Sequence, residues 1–401
     1  YGAIADDNML DTKAIQQAID ACEKNGGGTV IIESGTFDIG TITLKNKVSV
    51  FFETGAMLQG SPRLDDYTGE KKALIYGNTL SNVSISGMGV IDGSGATYWD
   101  DDFKALDRPE PWILLKNCNN LRIRDIKFQN SPSHTIRLET SDNIKFEGIS
   151  IINPHQGPNT DGIDIVDSKN VFVSNSYIST GDDAICLKSQ KDTVENVVVT
   201  NCVLESDDAA IKFGTGSHMA TRYCTFSNNV IKKTRYGISL FMLDGGVFEH
   251  NNFSNIIIEN GSRHTHQYPI FMDIDKKTPE RNYGIVRNNT FSNITAVTDG
   301  KILISGHEQS RIENLIIDGL RLTVANEADF SQAKKPRGNK NYPKLATSVD
   351  LAPKSGVLTF GYINGLRLND IQLYSSSKVN KEALYLEEVQ DLENTNFKGF
   401  K

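Results

Sequence analysis

The sequence predicts an all-β fold: a single-stranded right-handed parallel β-helix with an N-terminal capping helix. Three observations predict it. Similar phrases recur at Asn82-Val83-Ser84-Ile85-Ser86, Asn120-Leu121-Arg122-Ile123-Arg124, Asn143-Ile144-Lys145-Phe146-Glu147, Asn170-Val171-Phe172-Val173-Ser174 and Asn196-Val197-Val198-Val199-Thr200. Each alternates apolar and polar residues, the period-two signature of a half-buried strand. From Asn120 to Asn143, Asn170 and Asn196 the step is 23 to 27 residues, within the window for stacked supersecondary repeats. The middle of the chain also lacks the long amphipathic runs of a helical solenoid, and the helical or consensus-leucine half of a leucine-rich repeat is missing. Two or three short strands per turn fit best, with coils stacking at about 4.8 Å.

Residues 1–50 read as a cap continuous with the solenoid. Asp11-Thr12 starts a helix running to about Lys24, with Ala14, Ile15, Ala18, Ile19 and Cys22 as its apolar stripe. Gly26-Gly27-Gly28 ends it, and Thr29-Val30-Ile31-Ile32 begins the first strand. A solenoid needs its open end covered, because an unpaired edge invites aggregation. Residues 51–401 read as the β-helix. Second short strands follow the first at Ile126-Lys127-Phe128, Ile149-Ser150-Ile151 and Cys202-Val203-Leu204, and later coils continue the theme through Phe253, Phe291, Leu315 and Ile363. Residues 325–355 break the pattern with Lys334, Lys335, Arg337, Lys340 and Lys344 and little apolar content. They read as an inserted loop, either a solvated excursion or a basic wall beside an anionic substrate.

A solenoid accommodates 401 residues because its core grows along one axis. The 33 glycines and many asparagines serve the bends. A net charge of -8 and a pI of about 5.5 argue against nucleic acid or an anionic membrane surface as partner, and no apolar run has the length of a membrane span. The abrupt start at Tyr1-Gly2-Ala3 carries the expectation of a trimmed leader, and with it a secreted or periplasmic protein acting as a monomer. The five cysteines, Cys22, Cys118, Cys186, Cys202 and Cys224, show no metal-ligand spacing. Free thiols packed inside successive coils are expected in preference to disulfides.

The chemistry follows from the repeat. Asp161 and the pair Asp182-Asp183 lie about one coil apart, so their side chains should project from neighbouring turns onto one flank, with Ser206-Asp207-Asp208 one coil further. Carboxylates held a few Å apart push one another's pKa values in opposite directions, so one stays protonated while others stay charged. Glycoside cleavage requires this: an acid to protonate the leaving oxygen and a base to activate water. The competing reading, Asp and Asn merely bonding turn backbone, suits an isolated Asp better than three in register.

The chain resembles glycoside hydrolase family 28, the polygalacturonase group, over most of its length. Similar stretches include Tyr1-Gly2-Ala3, Asp11 to Asp20, Gly26-Gly27-Gly28-Thr29-Val30, Gly35-Thr36-Phe37, Gly89-Val90-Ile91-Asp92-Gly93 and Asn130-Ser131-Pro132. The specific part is Asn159-Thr160-Asp161-Gly162-Ile163-Asp164 followed by Ser179-Thr180-Gly181-Asp182-Asp183-Ala184-Ile185. The resemblance implies Asp182 as general acid, Asp161 and Asp183 holding and deprotonating the attacking water, Asn159 at the substrate, and no metal or other cofactor. Two motifs depart from the family. Its Gly-His-Gly should fall near Glu205-Ser206-Asp207-Asp208, where no histidine stands, and His218 is a nearby candidate substitute. Its Arg-Ile-Lys is matched by Tyr236-Gly237-Ile238-Ser239-Leu240-Phe241, with neither cation in place. A bidentate Arg clamp is the usual way to select a uronate, so Lys212 and Arg235 become the cations expected at an acidic sugar. His134 replaces the family's aromatic after Asn-Ser-Pro. Asp208, Tyr236, His266 and Tyr268 complete the expected cleft. His264 and His266 share one face without a third ligand, so zinc is not expected.

The leading expectation is an inverting hydrolase of a cell-wall polysaccharide, of pectin, rhamnogalacturonan or algal galactan type. A β-helical lyase would need a carboxylate-bound calcium and a Lys or Arg base, and the Asp arrangement argues against it. A non-catalytic carbohydrate-binding solenoid is the third reading.

Overall fold

The recurring asparagines are corners. In the computed structural model, which describes residues 1–326, 329–336, 349–376 and 382–400, Asn82, Asn120, Asn143 and Asn170 have φ of 58, 54, 54 and 53°. This left-handed conformation is one that asparagine tolerates better than most residues carrying a Cβ. Their side chains stack: Asn120 Nδ2 donates to Asn82 Oδ1 at 2.6 Å, and Asn143 Nδ2 to Asn120 Oδ1 at 3.5 Å.

The chain divides into two units, Tyr1–Ile185 and Cys186–Lys401. Both have the expected architecture, parallel strands wound into a right-handed β-helix. In the first unit each turn carries three short strands, and equivalent residues of successive turns pair in register. One sheet aligns Val83, Leu121, Ile144 and Val171, and beside them Ile85, Ile123, Phe146 and Val173. The second aligns Ile91, Phe128, Ile151 and Ile178, and the third Ile113, Ile136 and Ile163. All of these are buried. Each such side chain gains about 1.5–3 kcal/mol on leaving water, and that gain is what the alternating sequence pattern encodes.

Among the described residues one α-helix, α1 (Thr12–Lys24), is present, and it covers the first coil with Ile15 and Ile19 buried beneath it. Asp11 and Thr12 do not cap it as the sequence suggests. Asp11 Oδ1 accepts from Ile4 N at 3.0 Å and Thr12 Oγ1 from Gly40 N at 2.7 Å, so both side chains tie the N-terminal segment and the first coil together. The helix stops where Gly27 takes φ 107°, and a Cβ there would stand 2.5 Å from the Lys47 carbonyl oxygen.

The second unit repeats the pattern with an aromatic column, Phe226, Phe253, Phe291, Ile317 and Leu368. The rings of Phe226 and Phe253 stack at 5.2 Å, and those of Phe253 and Phe291 at 4.8 Å. The expectation of a solvated, apolar-poor loop over 325–355 is corrected by its described part. Phe330, Ala333, Leu351 and Ala352 join one buried cluster with Tyr236, Phe241, Tyr268, Phe271 and Leu303. Lys335 is buried, 3.1 Å from Asp273 and 2.9 Å from Asp275, so its charge is neutralised internally and offers no basic wall. Lys334 is exposed, whereas Arg337, Lys340 and Lys344 lie outside the described residues. All five cysteines are free, and all but Cys22 are buried. Burial pushes the Cys118 thiol up and that of Cys224 to about 12.

Candidate active site

The third sheet of the first unit positions the carboxylates. Backbone bonds run Thr135 N to Asp161 O (2.8 Å), Ile136 N to Gly162 O (3.0 Å), Gly162 N to Asp183 O (2.8 Å) and Ile163 N to Ala184 O (3.0 Å). With Ile136 paired to Ile163, this register puts His134, Asp161 and Asp183 in one column at the entry to three successive strands. The turn carrying Asp182 is pressed onto the turn before it: a Cβ on Gly181 would stand 2.4 Å from Gly157 O. Gly181 N donates to Thr160 Oγ1 at 3.0 Å, and Thr180 Oγ1 to Asp182 O at 2.5 Å.

The expected trio is brought together. One oxygen each from Asp161, Asp182 and Asp183 lies within 4.8 Å of the others. Asp161 and Asp183 are each 3 % exposed and Asp182 is half-buried, which leaves one carboxylate accessible above two recessed ones. Asp182 Oδ1 accepts from Asp183 N at 3.0 Å, and Asp182 Oδ2 from Asn159 Nδ2 at 3.4 Å. His134 Nε2 lies 3.8 Å from Asp161 Oδ1 and 4.0 Å from Asp164 Oδ2. His134, Asp161 and Asp164 also converge within 4.8 Å, so this trio and the three aspartates are the groups here whose donor atoms could hold a cation.

Several neighbours were not singled out from the sequence. Asp164 is fully buried, with Arg137 NH1 3.6 Å from its Oδ2 and Arg137 Nε 2.5 Å from Glu139 Oε1. The signal was present, since Arg137 and Asp164 pair across strands in the same register as Ile136 and Ile163. His155 Nε2 lies 3.2 Å from Ser179 Oγ. Arg108 comes from segment 99–112, outside the repeat. Its NH1 donates to Pro132 O (2.8 Å) and Pro158 O (2.6 Å), and its NH2 to Asn159 Oδ1 (3.1 Å). Burial pulls its guanidinium below the ordinary arginine value, against the opposing charges of Glu110, Asp161 and Asp182.

The second unit gathers three other expected residues. Asp208 Oδ2 lies 3.4 Å from Lys212 Nζ, and Asp208 Oδ1 3.5 Å from Arg235 NH1. Next to Asp208 in sequence, the buried Asp207 bonds Arg263 Nε and has His264 Nε2 3.6 Å away. Burial alone would raise this carboxyl, but the His264 and Arg263 contacts outweigh it and hold it below the usual carboxylate range. His218 Nδ1 faces the Asp244 carbonyl at 3.0 Å, and His266 packs on the Phe330 ring at 4.9 Å. Tyr236 and Tyr268 are corrections. Expected at the cleft wall, they stack on each other at 5.6 Å and are buried, because the strands that carry them pair Tyr236 with Tyr268 and Phe330 closes over Tyr268. Neither ring is exposed to solvent.

Comparison with known proteins places these features in a family. The family model for glycosyl hydrolases family 28 matches residues 22–337. The chain is 29% identical to a probable polygalacturonase of Vitis vinifera over 211 residues, 47% of this chain and 43% of that protein, so the match takes in less than half of the relative's length. It is 24% identical to an endo-polygalacturonase of Pectobacterium carotovorum subsp. carotovorum over 356 residues, 79% of this chain and 85% of that one. Among solved structures, a family 28 exopolygalacturonase of Yersinia enterocolitica aligns with a TM-score of 0.73 at 21% identity, covering 98% of this chain and 76% of that one. Such a likeness establishes the β-helix but not the reaction.

Proposed function

The chain belongs to glycosyl hydrolases family 28, and we propose that it hydrolyses a pectic polysaccharide with inversion at the anomeric carbon. The observation that carries this reading is the convergence of Asp161, Asp182 and Asp183 from adjacent turns. In the proposed step Asp182, the accessible member, gives its proton to the glycosidic oxygen as the bond from that oxygen to the anomeric carbon breaks. A water held between Asp161 and Asp183 attacks the same carbon from the opposite face. Its proton passes to one of those two carboxylates, and exchange with solvent resets the pair. General acid and base contributions of about 10²–10⁴-fold each are ordinary for such groups.

Inverting pairs usually hold their carboxyl groups about 6.5–9.5 Å apart, whereas nearest oxygens here lie within 4.8 Å. Nearest-oxygen distances are the lower bound on the separation of two carboxyl groups. The water held by the recessed pair and the anomeric carbon it attacks must still fit between that pair and Asp182, so the separation that matters is the one from Asp182 to the water's site. Proton NMR of the first-formed anomer decides the matter: early appearance of the retained anomer refutes the scheme.

Substrate choice rests on the cations. Ser239 and Phe241, which stand where the family's Arg-Ile-Lys cations would fall, are buried. Lys212 and Arg235, gathered on Asp208, are the groups assigned to an acidic or substituted sugar. Screening pectin, rhamnogalacturonan and sulfated galactans identifies the polymer, and cleavage of none of them rejects the assignment. A secreted monomer fits such a substrate, and among the described residues no helix is long and apolar enough to cross a membrane.

A further inference from the structure

We propose that Arg108 is a positioning residue that fixes the orientation of Asn159 and, through it, of Asp182; this rests on the catalytic reading above. Arg108 is held in an excursion that leaves the repeat and docks on two turns at once. Ser133 Oγ donates to Pro109 O at 2.6 Å, and Trp99 Nε1 donates to Pro132 O at 3.0 Å. The Arg108 side chain is 3 % exposed. A buried guanidinium is costly to desolvate and is retained where several acceptors meet its fork, and the acceptors here are informative. One nitrogen, NH1, is shared by the carbonyls of Pro132 and Pro158, on consecutive turns. Two carbonyl dipoles converging on one point repel unless a cation stands between them. Pro132 is two residues before His134, and Pro158 is three before Asp161. The cation therefore sets the spacing of the column that holds both.

The second nitrogen settles an ambiguity that Asn159 would otherwise have. An asparagine amide has one accepting and one donating end, and only the donating end suits a carboxylate. Arg108 NH2 claims Asn159 Oδ1 at 3.1 Å, which turns Nδ2 toward Asp182 Oδ2 at 3.4 Å. Without the guanidinium the amide is free to flip and present oxygen to oxygen. Asn159 itself is exposed, at φ 53°, so little else restrains it. Lysine keeps the charge but lacks the planar fork, so it cannot serve all three acceptors.

The experiment measures kcat and KM for Arg108→Lys, Asn159→Ala and the double variant on the pectic substrate that the wild type cleaves. Misplacing a catalytic group by about 1 Å costs on the order of 100-fold, so each single variant should lose about 10- to 100-fold in kcat while KM moves by less than about threefold. Because one residue acts through the other, the double variant should be no slower than Arg108→Lys within about twofold, where independent effects would multiply. A kcat for Arg108→Lys equal to wild type, or losses that multiply, overturns the inference. Arg108→Met is expected to lower the thermal midpoint as well; Asn159→Ala, at an exposed position, keeps the comparison readable. Failure of the catalytic reading shows up separately, as an Asp182→Asn variant that retains turnover.

Discussion

Replacing Asp182 by Asn removes the acidic proton the carboxyl group can transfer and almost nothing of its shape, which makes it the sharpest test of the assigned roles. Among the carboxylate's contacts, Oδ1 accepts from Asp183 N at 3.0 Å and Oδ2 from Asn159 Nδ2 at 3.4 Å. The asparagine amide retains the shorter bond with its oxygen and turns its NH2 toward Asn159. One long hydrogen bond becomes a donor–donor approach at a half-buried position, a loss of about 0.5–1.5 kcal/mol. That is too little to unfold the coil or to abolish sugar binding. The chemical step loses its acid, and the expected fall in kcat is about 10²–10⁴-fold, or roughly 2.7–5.4 kcal/mol of barrier. Reducing-end release measures turnover, and calorimetric titration with a substrate oligosaccharide measures binding. A folded variant that keeps more than about a tenth of wild-type kcat refutes the assignment of Asp182 as the acid. A variant with unchanged kcat but weakened binding would make it a substrate contact instead.

Lys335→Met leaves Asp273 and Asp275 as buried carboxylates stripped of their cation; a loss of about 3–5 kcal/mol is expected, read as a fall of about 4–6 °C in thermal midpoint. Asp207, held below the usual carboxylate range by His264 and Arg263 against the effect of burial, contributes stability that is present above its unfolded value of about 3.9 and is lost as pH falls through its lower folded value. The gap in thermal midpoint between wild type and Asp207→Asn should therefore be full at neutral pH and close on acidification below about 4; a gap independent of pH would deny the ion pairing. Thiol titration of the native protein should detect Cys22 alone, because the other four cysteines are buried and Cys224 is pushed up to about 12; prompt reaction of Cys118, Cys186, Cys202 or Cys224 without denaturant would contradict that burial.

What the sequence revealed and what it hid divide along the winding. A parallel register turns sequence distance into spatial adjacency at a fixed step, so any residue on a coil can be placed by counting. That is why Asp161 and Asp183 could be expected in one column, and why the corner asparagines announced themselves: the chain needs a left-handed residue at the same point of each turn. The same counting would have found Arg137 opposite Asp164. It fails for residues that leave the coil. Nothing in the order Asp107-Arg108-Pro109-Glu110-Pro111 says which turns that segment will dock on, because its partners are the Pro132 and Pro158 carbonyls, whose availability depends on backbone geometry. Lys335 misled for a related reason. A lysine among lysines reads as solvated, yet Asp273 and Asp275, about sixty residues upstream, supplied buried carboxylates that only a docked cation could neutralise. Tyr236 and Tyr268 failed differently: counting aligned them correctly, but alignment fixes neighbours and not exposure. The segment that covers them is the excursion whose docking the periodicity could not reveal. In a coiled fold, then, period locates the reacting groups and the cations Lys212 and Arg235, while the bracing of the site by Arg108 falls to a segment outside the period.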